Sequence, residues 1–288
     1  GILILEGRAM KVIHILPAFN CADTISTLLL QLPSETTIVV DDGSNDKTIE
    51  CVRALGFKYI SHGRNMGVGA ALKTGISYAL ESGFSHAVTI DADGQHPVSR
   101  IPEFVHHMAH YDFVIGNRFR NINIVPDPKL SSNLFASLVI QRLFSIKLTD
   151  VACGFRGFRL NESLLHISDN GYGFLYRHLI QVLANQASIK DIEIDCIYPF
   201  NQPLCTRKIE LASLIAAAFQ FTEFTNDNSK SVIFDSLITR IEKKEDLQIE
   251  IEGYEFYAFY ITNLDSYVFQ SPKPKVSTYY VPPAYLSL

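Results

Sequence analysis

Asp91 and Asp93 stand two residues apart directly after the apolar run Ala87 to Ile90, in the order D-A-D-G-Q-H-P through Pro97. In an extended terminus, alternate residues point to the same side, so both carboxylates can meet one hard cation. Mg²⁺ or Mn²⁺ accepts carboxylate and phosphate oxygens together, and such an ion can bridge the chain to a nucleotide diphosphate. Taken alone, D-A-D-G is also an ordinary surface turn with Gly94 at its tip. Two earlier segments favour the chemical reading. V-V-D-D-G-S (Val39 to Ser44) places Asp41 and Asp42 at the end of another apolar run, where a carboxylate can accept a hydrogen bond from a base imide. R-N-M-G-V-G-A-A-L-K-T-G (Arg64 to Gly75) opens a helix with small residues.

The glycine segment is neither a dinucleotide fingerprint nor a phosphate loop: Leu72 holds the third glycine position, and the G-K-[ST] ending is absent. Its small residues permit close approach of a helix to a nucleotide or to the sheet, and Arg64 beside them suits a phosphate. Asp41 is open to a structural role, and Ser44 or Asn45 to capping the helix that begins near Asp46. Arg118 in I-G-N-R and Arg156 in D-V-A-C-G-F-R carry forks that match a phosphate. Asp150, which opens that second segment, can orient an arginine or act as a base. Arg159 reads as a surface arginine. His106, His107 and His110 share a helix without a matching carboxylate and read as a polar face rather than a zinc site.

These residues need elements to position them. Apolar strands at Val12–Leu16, Thr37–Val40, Lys58–Ile60, His86–Ile90 and Asp112–Ile115 alternate with helical patterns at Thr24–Leu32, Lys47–Leu55, Val68–Leu80 and Ser99–His110. Such alternation predicts an α/β chain with a mostly parallel central sheet covered on both faces. Ligands of such sheets collect beyond the carboxyl ends of the strands, where Asp41, Asp42 and Asp91 fall. A proline-rich polar break follows at Asn121–Ser132, then a helix at Leu134–Phe144, a helix at Tyr172–Leu183 and a strand at Ile189–Tyr198. The broad apolar arc of Leu134–Phe144 fits either an interfacial face or a core helix. Beyond Pro203 the pattern changes to a helix at Arg207–Phe221, a polar linker at Asn226–Lys230, two strands around Gly253 within Leu247–Ile261, and an extended tail from Ser271. The expected division is a catalytic domain over residues 10–205 and a small α+β addition over residues 206–288.

The 288 residues carry a formal charge of -5 and are 47% hydrophobic, a composition that suits a folded core and disfavours a dedicated nucleic-acid binder. Five scattered cysteines without C-x-x-C spacing suit a reducing compartment. The apolar stretch Gly1–Ala9 is too short for a signal peptide; Gly1 reads as a remnant of tag removal and Met10 as a natural start. The run Ile209–Phe221 is shorter than the ~20 residues of a spanning helix.

At these residues the chain resembles family 2 glycosyltransferases, in particular the polyprenyl-phosphate sugar synthases. The family's P-x-Y-N-E corresponds to Pro17, Ala18, Phe19, Asn20 and Cys21. Its D-D-G-S is Asp41 to Ser44, its N-x-G-x-G-x-A is Asn65 to Ala71, and its D-A-D-x-Q-H-P is Asp91 to Pro97. G-x-R falls on Gly116 to Arg118, and D-x-x-x-G-F-R on Asp150 to Arg156. The resemblance implies a GT-A nucleotide-sugar-binding fold, an inverting transfer with Mg²⁺ or Mn²⁺, and a UDP- or GDP-hexose donor. The implied acceptor is a polyprenyl phosphate, met from the cytoplasm at the inner membrane face.

By the same resemblance Asp42 holds the base, Asp91 the donor side and Asp93 the metal, with Pro17, Phe19, Asn20, Asp41, Arg64, Asn65, Gly67, Ala92 and Gln95 around the nucleotide. Arg118, Arg156 and Asp150 belong to the reacting end. Three departures stand out: Cys21 replaces a glutamate, Arg177 ends G-F-L-Y-R where the family has G-x-x-F-x-x-E, and only Arg207 and Lys208 approach the closing basic loop. A saccharide or small polar acceptor, or an idle nucleotide-sugar-binding module, are the alternative readings.

Overall fold

A computed structural model of the chain describes residues 2–5, 8–119, 127–195, 236–237, 239–251, 254–261, 266–269 and 273–274. The elements are β1 (Ile2–Leu5), β2 (Arg8–Ala18), α1 (Ala22–Leu29), β3 (Thr37–Asp41), α2 (Thr48–Ala54), β4 (Lys58–Ser61), α3 (Val68–Glu81), β5 (His86–Thr89), α4 (Ile101–His107), β6 (Phe113–Asn117), α5 (Asp127–Phe144), β7 (Arg156–Arg159), α6 (Gly173–Ala184), β8 (Ile189–Glu193), β9 (Leu247–Ile251), β10 (Tyr254–Ile261), β11 (Ser266–Phe269) and β12 (Lys273–Pro274). The main sheet runs β4-β3-β2-β5-β7-β6-β8, with β1 folded back on β2.

Four of its pairings are parallel: β4 with β3, β3 with β2, β2 with β5, and β6 with β8. Each residue of β3 and of β6 is buried, as continuous apolar runs in a sheet covered on both faces require. Register then decides where the chemistry collects. Ala18 of β2 lies level with Asp41 of β3, and Asp41 lies level with Ser61 of β4. Thr89 of β5 pairs beside Ile15, so Asp91 follows just past the same edge. Four carboxyl ends therefore open on one side.

The expected strands and helices of the first 115 residues are present, with end shifts of a few residues. The differences lie later. β7 was not expected from its sequence; it inserts antiparallel between β5 and β6, with Arg156 level with both Thr89 and Ile115. The polar break at Asn121–Ser132 ends sooner than expected, because α5 begins at Asp127. Pro128 sits in its first turn, where its missing N–H costs no helical hydrogen bond. The strand expected over Ile189–Tyr198 stops at Glu193.

Two compact units emerge. The first comprises Gly1–Arg118, Cys153–His178 and Gln186–Ile197; the second comprises Phe119–Ala152, Leu179–Asn185 and Tyr198–Leu288. The second contains a small sheet in which β10 pairs antiparallel with β9, β11 and β12. Leu134, Phe135, Leu138, Val139 and Leu143 of α5 are buried, and Phe135 meets Phe256 of β10 edge-on with ring centroids 5.4 Å apart. That arc belongs to the core of the second unit. The 205/206 boundary, the helix expected at 207–221, the linker at 226–230 and all of the tail except Lys273–Pro274 lie outside the described residues. Among the described residues, no helix is long and apolar enough to cross a membrane.

The core of the first unit contains a titratable group. His14 on β2 is buried, with Nδ1 3.2 Å from the Thr37 hydroxyl, and burial lowers its pKa from 6.5 to about 4. The unfolded chain takes up the proton near 6.5, the folded chain only near 4, so the contribution is complete above 6.5 and is lost as pH falls toward 4. Urea unfolding followed from pH 7 to pH 4 is expected to show stability falling, with His14 supplying up to about 3 kcal/mol of that fall. His14→Gln should flatten the slope; an unaltered slope would contradict the assignment.

Candidate active site

The carboxyl edge holds a cavity of about 520 Å³ lined by Pro17 to Cys21, Asp42, Asn65, Gly67 and the Asp91–Ala92–Asp93 run, among others. β2 delivers the first segment, β3 delivers Asp42, and β5 delivers the aspartate pair. The floor is tied together by short polar contacts. Asn20 adopts the left-handed conformation at φ 50°, its N–H donates to Ser44 Oγ at 2.9 Å, and its Oδ1 accepts the Asn45 N–H at 2.8 Å. Neither Ser44 nor Asn45 caps α2, whose N-cap is Lys47 without a side-chain cap bond; Asp46 just before it ties the start of the helix to α1. Its Oδ1 accepts the Thr48 N–H at the start of α2, and its Oδ2 accepts the Ala22 N–H of α1, each at 3.0 Å.

The two adjacent aspartates divide their work. Asp41 is turned into the fold, accepting from Ser44 N–H at 3.1 Å and from the Ser61 hydroxyl at 2.8 Å, and it does not line the cavity. Asp42 does line it. Its Oδ1 accepts from His62 Nδ1 at 2.8 Å and from Met66 N–H at 2.9 Å, while Oδ2 accepts from Gly67 N–H at 2.7 Å. This carboxylate therefore folds the loop ahead of α3 against the end of β3. Gly67 needs to be glycine: its φ is 101°, and a Cβ there would lie 2.2 Å from the Asn170 carbonyl oxygen. The small residues of this segment thus serve approach to the loop at Asn170–Gly171, which is sealed by Ala70 N–H donating to Asn170 O at 3.0 Å.

The aspartate pair is more exposed than Asp42. Asp93 is exposed, and its Oδ1 accepts the Gln95 N–H at 2.9 Å. The side chain of Asp91 is 33% exposed, with Oδ2 3.7 Å from His96 Nδ1. Behind it lies the Gly154 backbone: a Cβ at Gly154 would sit 2.6 Å from both Asp91 carboxylate oxygens. Among the described residues, no group of three or more His, Cys, Asp or Glu side chains is placed to hold a metal. Two carboxylates facing a cavity do suit Mg²⁺ or Mn²⁺, which takes one or two protein carboxylates and completes its shell with phosphate oxygens and water.

The remaining expected residues separate. Pro17, Phe19, Asn20, Asp42, Asn65, Gly67, Asp91, Ala92 and Asp93 meet at the cavity. Gln95 is buried, Arg64 is exposed with its backbone against Gly43, and neither lines it. Arg118 is buried and also off the lining. Arg156 is 1% exposed, donates to the Cys153 and Leu175 carbonyls at 2.7 and 2.6 Å, and lies over the Phe113 ring, so its fork is built into the core. Asp150 is buried within the second unit. Cys21 lines the cavity, and burial pushes its thiol up to about 11, so it stays uncharged near neutral pH.

Gly171 and Tyr172 line the cavity without having been singled out for it. They precede α6, about a hundred residues beyond Gly67, and Tyr172 is 54% exposed. The sequence signal was the glycine run at 67–69, whose close partner is this loop.

A family model described as "Glycosyl transferase family 2" matches residues 14–162. The chain belongs to glycosyl transferase family 2. As a family 2 glycosyltransferase it is 29% identical over 221 residues to UDP-N-acetylglucosamine–dolichyl-phosphate N-acetylglucosaminyltransferase of Methanococcus voltae, covering 66% of this chain and 87% of that one. It is 29% identical over 182 residues to undecaprenyl-phosphate mannosyltransferase of Micrococcus luteus, covering 57% and 74%. Its fold is GT-A. The crystal structure of Mycobacterium tuberculosis glucosyl-3-phosphoglycerate synthase with Mn²⁺, UDP-glucose and phosphoglyceric acid matches at TM-score 0.58 and 19% identity over 73% of this chain and 80% of that one.

Gly154→Ala tests the support of Asp91. The atoms a new methyl would meet are the end of a side chain, so the fold can yield by turning the carboxylate. Thermal unfolding should shift by the equivalent of less than about 1 kcal/mol. On the reading of Asp91 as a donor-side group, donor-sugar hydrolysis should fall by roughly a hundredfold, the scale for a misplaced group at a reacting centre. Equal losses in stability and activity would contradict a positioning role.

Proposed function

We propose that this glycosyltransferase moves a hexose from UDP or GDP onto a polyprenyl phosphate, with inversion at the anomeric carbon. The observation that carries the donor half is the meeting of Asp42, Asp91 and Asp93 at one cavity on the carboxyl edge of β2, β3 and β5. Asp42 receives the base imide, the segment Pro17–Asn20 and Asn65 border the nucleoside, and Asp91 and Asp93 face the diphosphate. Asp93, with Asp91 beside it, would hold a Mg²⁺ or Mn²⁺ ion, which would offset the charge that grows on the departing diphosphate.

The acceptor half rests on chemistry and kinship. A phosphate oxygen of the acceptor attacks the anomeric carbon from the face opposite the diphosphate. The bond from that carbon to the diphosphate breaks, and the nucleoside diphosphate leaves with the electron pair. A phosphate monoester loses its second proton near pH ~6, so this nucleophile is ionised without a strong base. That fits a cavity in which Cys21, uncharged, stands where a glutamate is usual. Both named relatives act on polyprenyl phosphates by their names. Such an acceptor places the enzyme peripherally at a membrane surface, reached from the cytoplasm.

Radiolabelled UDP- and GDP-hexoses offered with Mn²⁺ and either polyprenyl phosphate in vesicles or soluble saccharides separate the acceptors. Label should move into the lipid phase, and Asp93→Ala should reduce this by at least ~10²-fold, the scale for losing stabilisation of a leaving group. Label passing to a saccharide instead would overturn the lipid acceptor; donor binding without any turnover would leave an idle module.

A further inference from the structure

We infer that His62 is a positioning residue for the nucleobase end of the donor, acting through Asp42; the inference rests on reading the cavity as the donor site. Asp42 is only 3% exposed, yet it lines the cavity, so the direction of its remaining hydrogen-bonding capacity matters. His62 Nδ1 and Met66 N–H both reach Oδ1, at 2.8 and 2.9 Å, and fill the two lone pairs of that oxygen. Oδ2 accepts only the Gly67 N–H, at 2.7 Å, among the described residues. One lone pair of Oδ2 is left, the capacity that a single imide N–H of uracil or guanine requires.

His62 fixes which oxygen that is. An ionised carboxylate only accepts, so Nδ1 carries a proton, and the imidazole is held from behind by Thr74 Oγ1, 2.9 Å from Nε2. The Thr74 hydroxyl can donate to a neutral ring or accept from a protonated one, so the pin holds in either state. Thr74 lies on α3, and Met66 and Gly67 lead into that helix, so the carboxylate is clamped between β3 and α3. Without the imidazole, Oδ1 loses one of its two donors and the carboxylate can turn, offering either oxygen to the cavity.

The test uses the full chain, with UDP and GDP as probes alongside the same nucleotides methylated at the base imide nitrogen, by calorimetric titration. Removing a hydrogen bond to a charged group should weaken the better-bound nucleotide roughly tenfold in His62→Ala. His62→Asn restores an N–H near the Nδ1 position and should return affinity to within about threefold of native. The methylated nucleotide, which cannot use Oδ2, should bind native and His62→Ala equally. An unchanged affinity in His62→Ala would overturn the inference, as would equal weakening of the methylated and unmethylated forms, which marks general damage to the loop. Asp42→Ala separates the underlying reading: if it binds the unmethylated nucleotide as native does, the donor-site assignment of Asp42 itself fails.

Discussion

The Asp42 carboxylate joins the end of β3 to the start of α3, and the rest of the cavity is arranged around that junction. Burying a charge is costly unless it is met by well-placed donors, and here two backbone N–H groups and an imidazole meet it. The contact also answers a requirement of the helix, whose first N–H groups have no partner inside it and whose positive end favours a carboxylate. The loop from His62 to Gly67 is thereby closed, and Gly67 is brought so near Asn170 that no side chain fits between them. A loop far along the chain then becomes a wall of the cavity.

The parallel register supplies the second condition. Because β2, β3 and β4 end nearly level and β5 ends beside them, four short loops emerge on one edge. Two of them carry carboxylates, and each carboxylate meets a different demand. Asp41 is consumed by the turn that follows it, Asp42 faces both the fold and the cavity, and Asp91 and Asp93 are left open enough to meet a ligand. The Gly154 backbone lies directly behind Asp91, so close that a Cβ there would sit 2.6 Å from both carboxylate oxygens.

Much of the first unit was legible because its strands are uninterrupted apolar runs and its motifs fall at strand ends. The aspartates that line the cavity were legible for the same reason, since Asp42, Asp91 and Asp93 follow the runs that bury themselves in the sheet. β7 was not, because Arg156-Gly157-Phe158-Arg159 carries an arginine at each end, one reading as a fork for a phosphate and the other as a surface residue. The structure satisfies Arg156 with two carbonyls and an aromatic face, a solution that depends on partners nineteen residues away and across the sheet. Tyr172 was missed for a related reason: its place at the cavity follows from tertiary approach to Gly67, not from any local pattern. The start of α5 shows the limit of proline as a breaker, since Pro128 occupies the one turn that tolerates it.

On the function proposed above, this edge binds a nucleoside diphosphate together with a divalent ion. Titration of the native chain and Asp93→Ala with UDP and GDP, each with and without Mn²⁺, tests it most directly. One nucleotide should bind the native chain at least ~10-fold more tightly with Mn²⁺ than without, a difference of about 1.4 kcal/mol, and Asp93→Ala should abolish this enhancement. Binding that is indifferent to Mn²⁺ in both proteins, or no binding of either nucleotide, would contradict it.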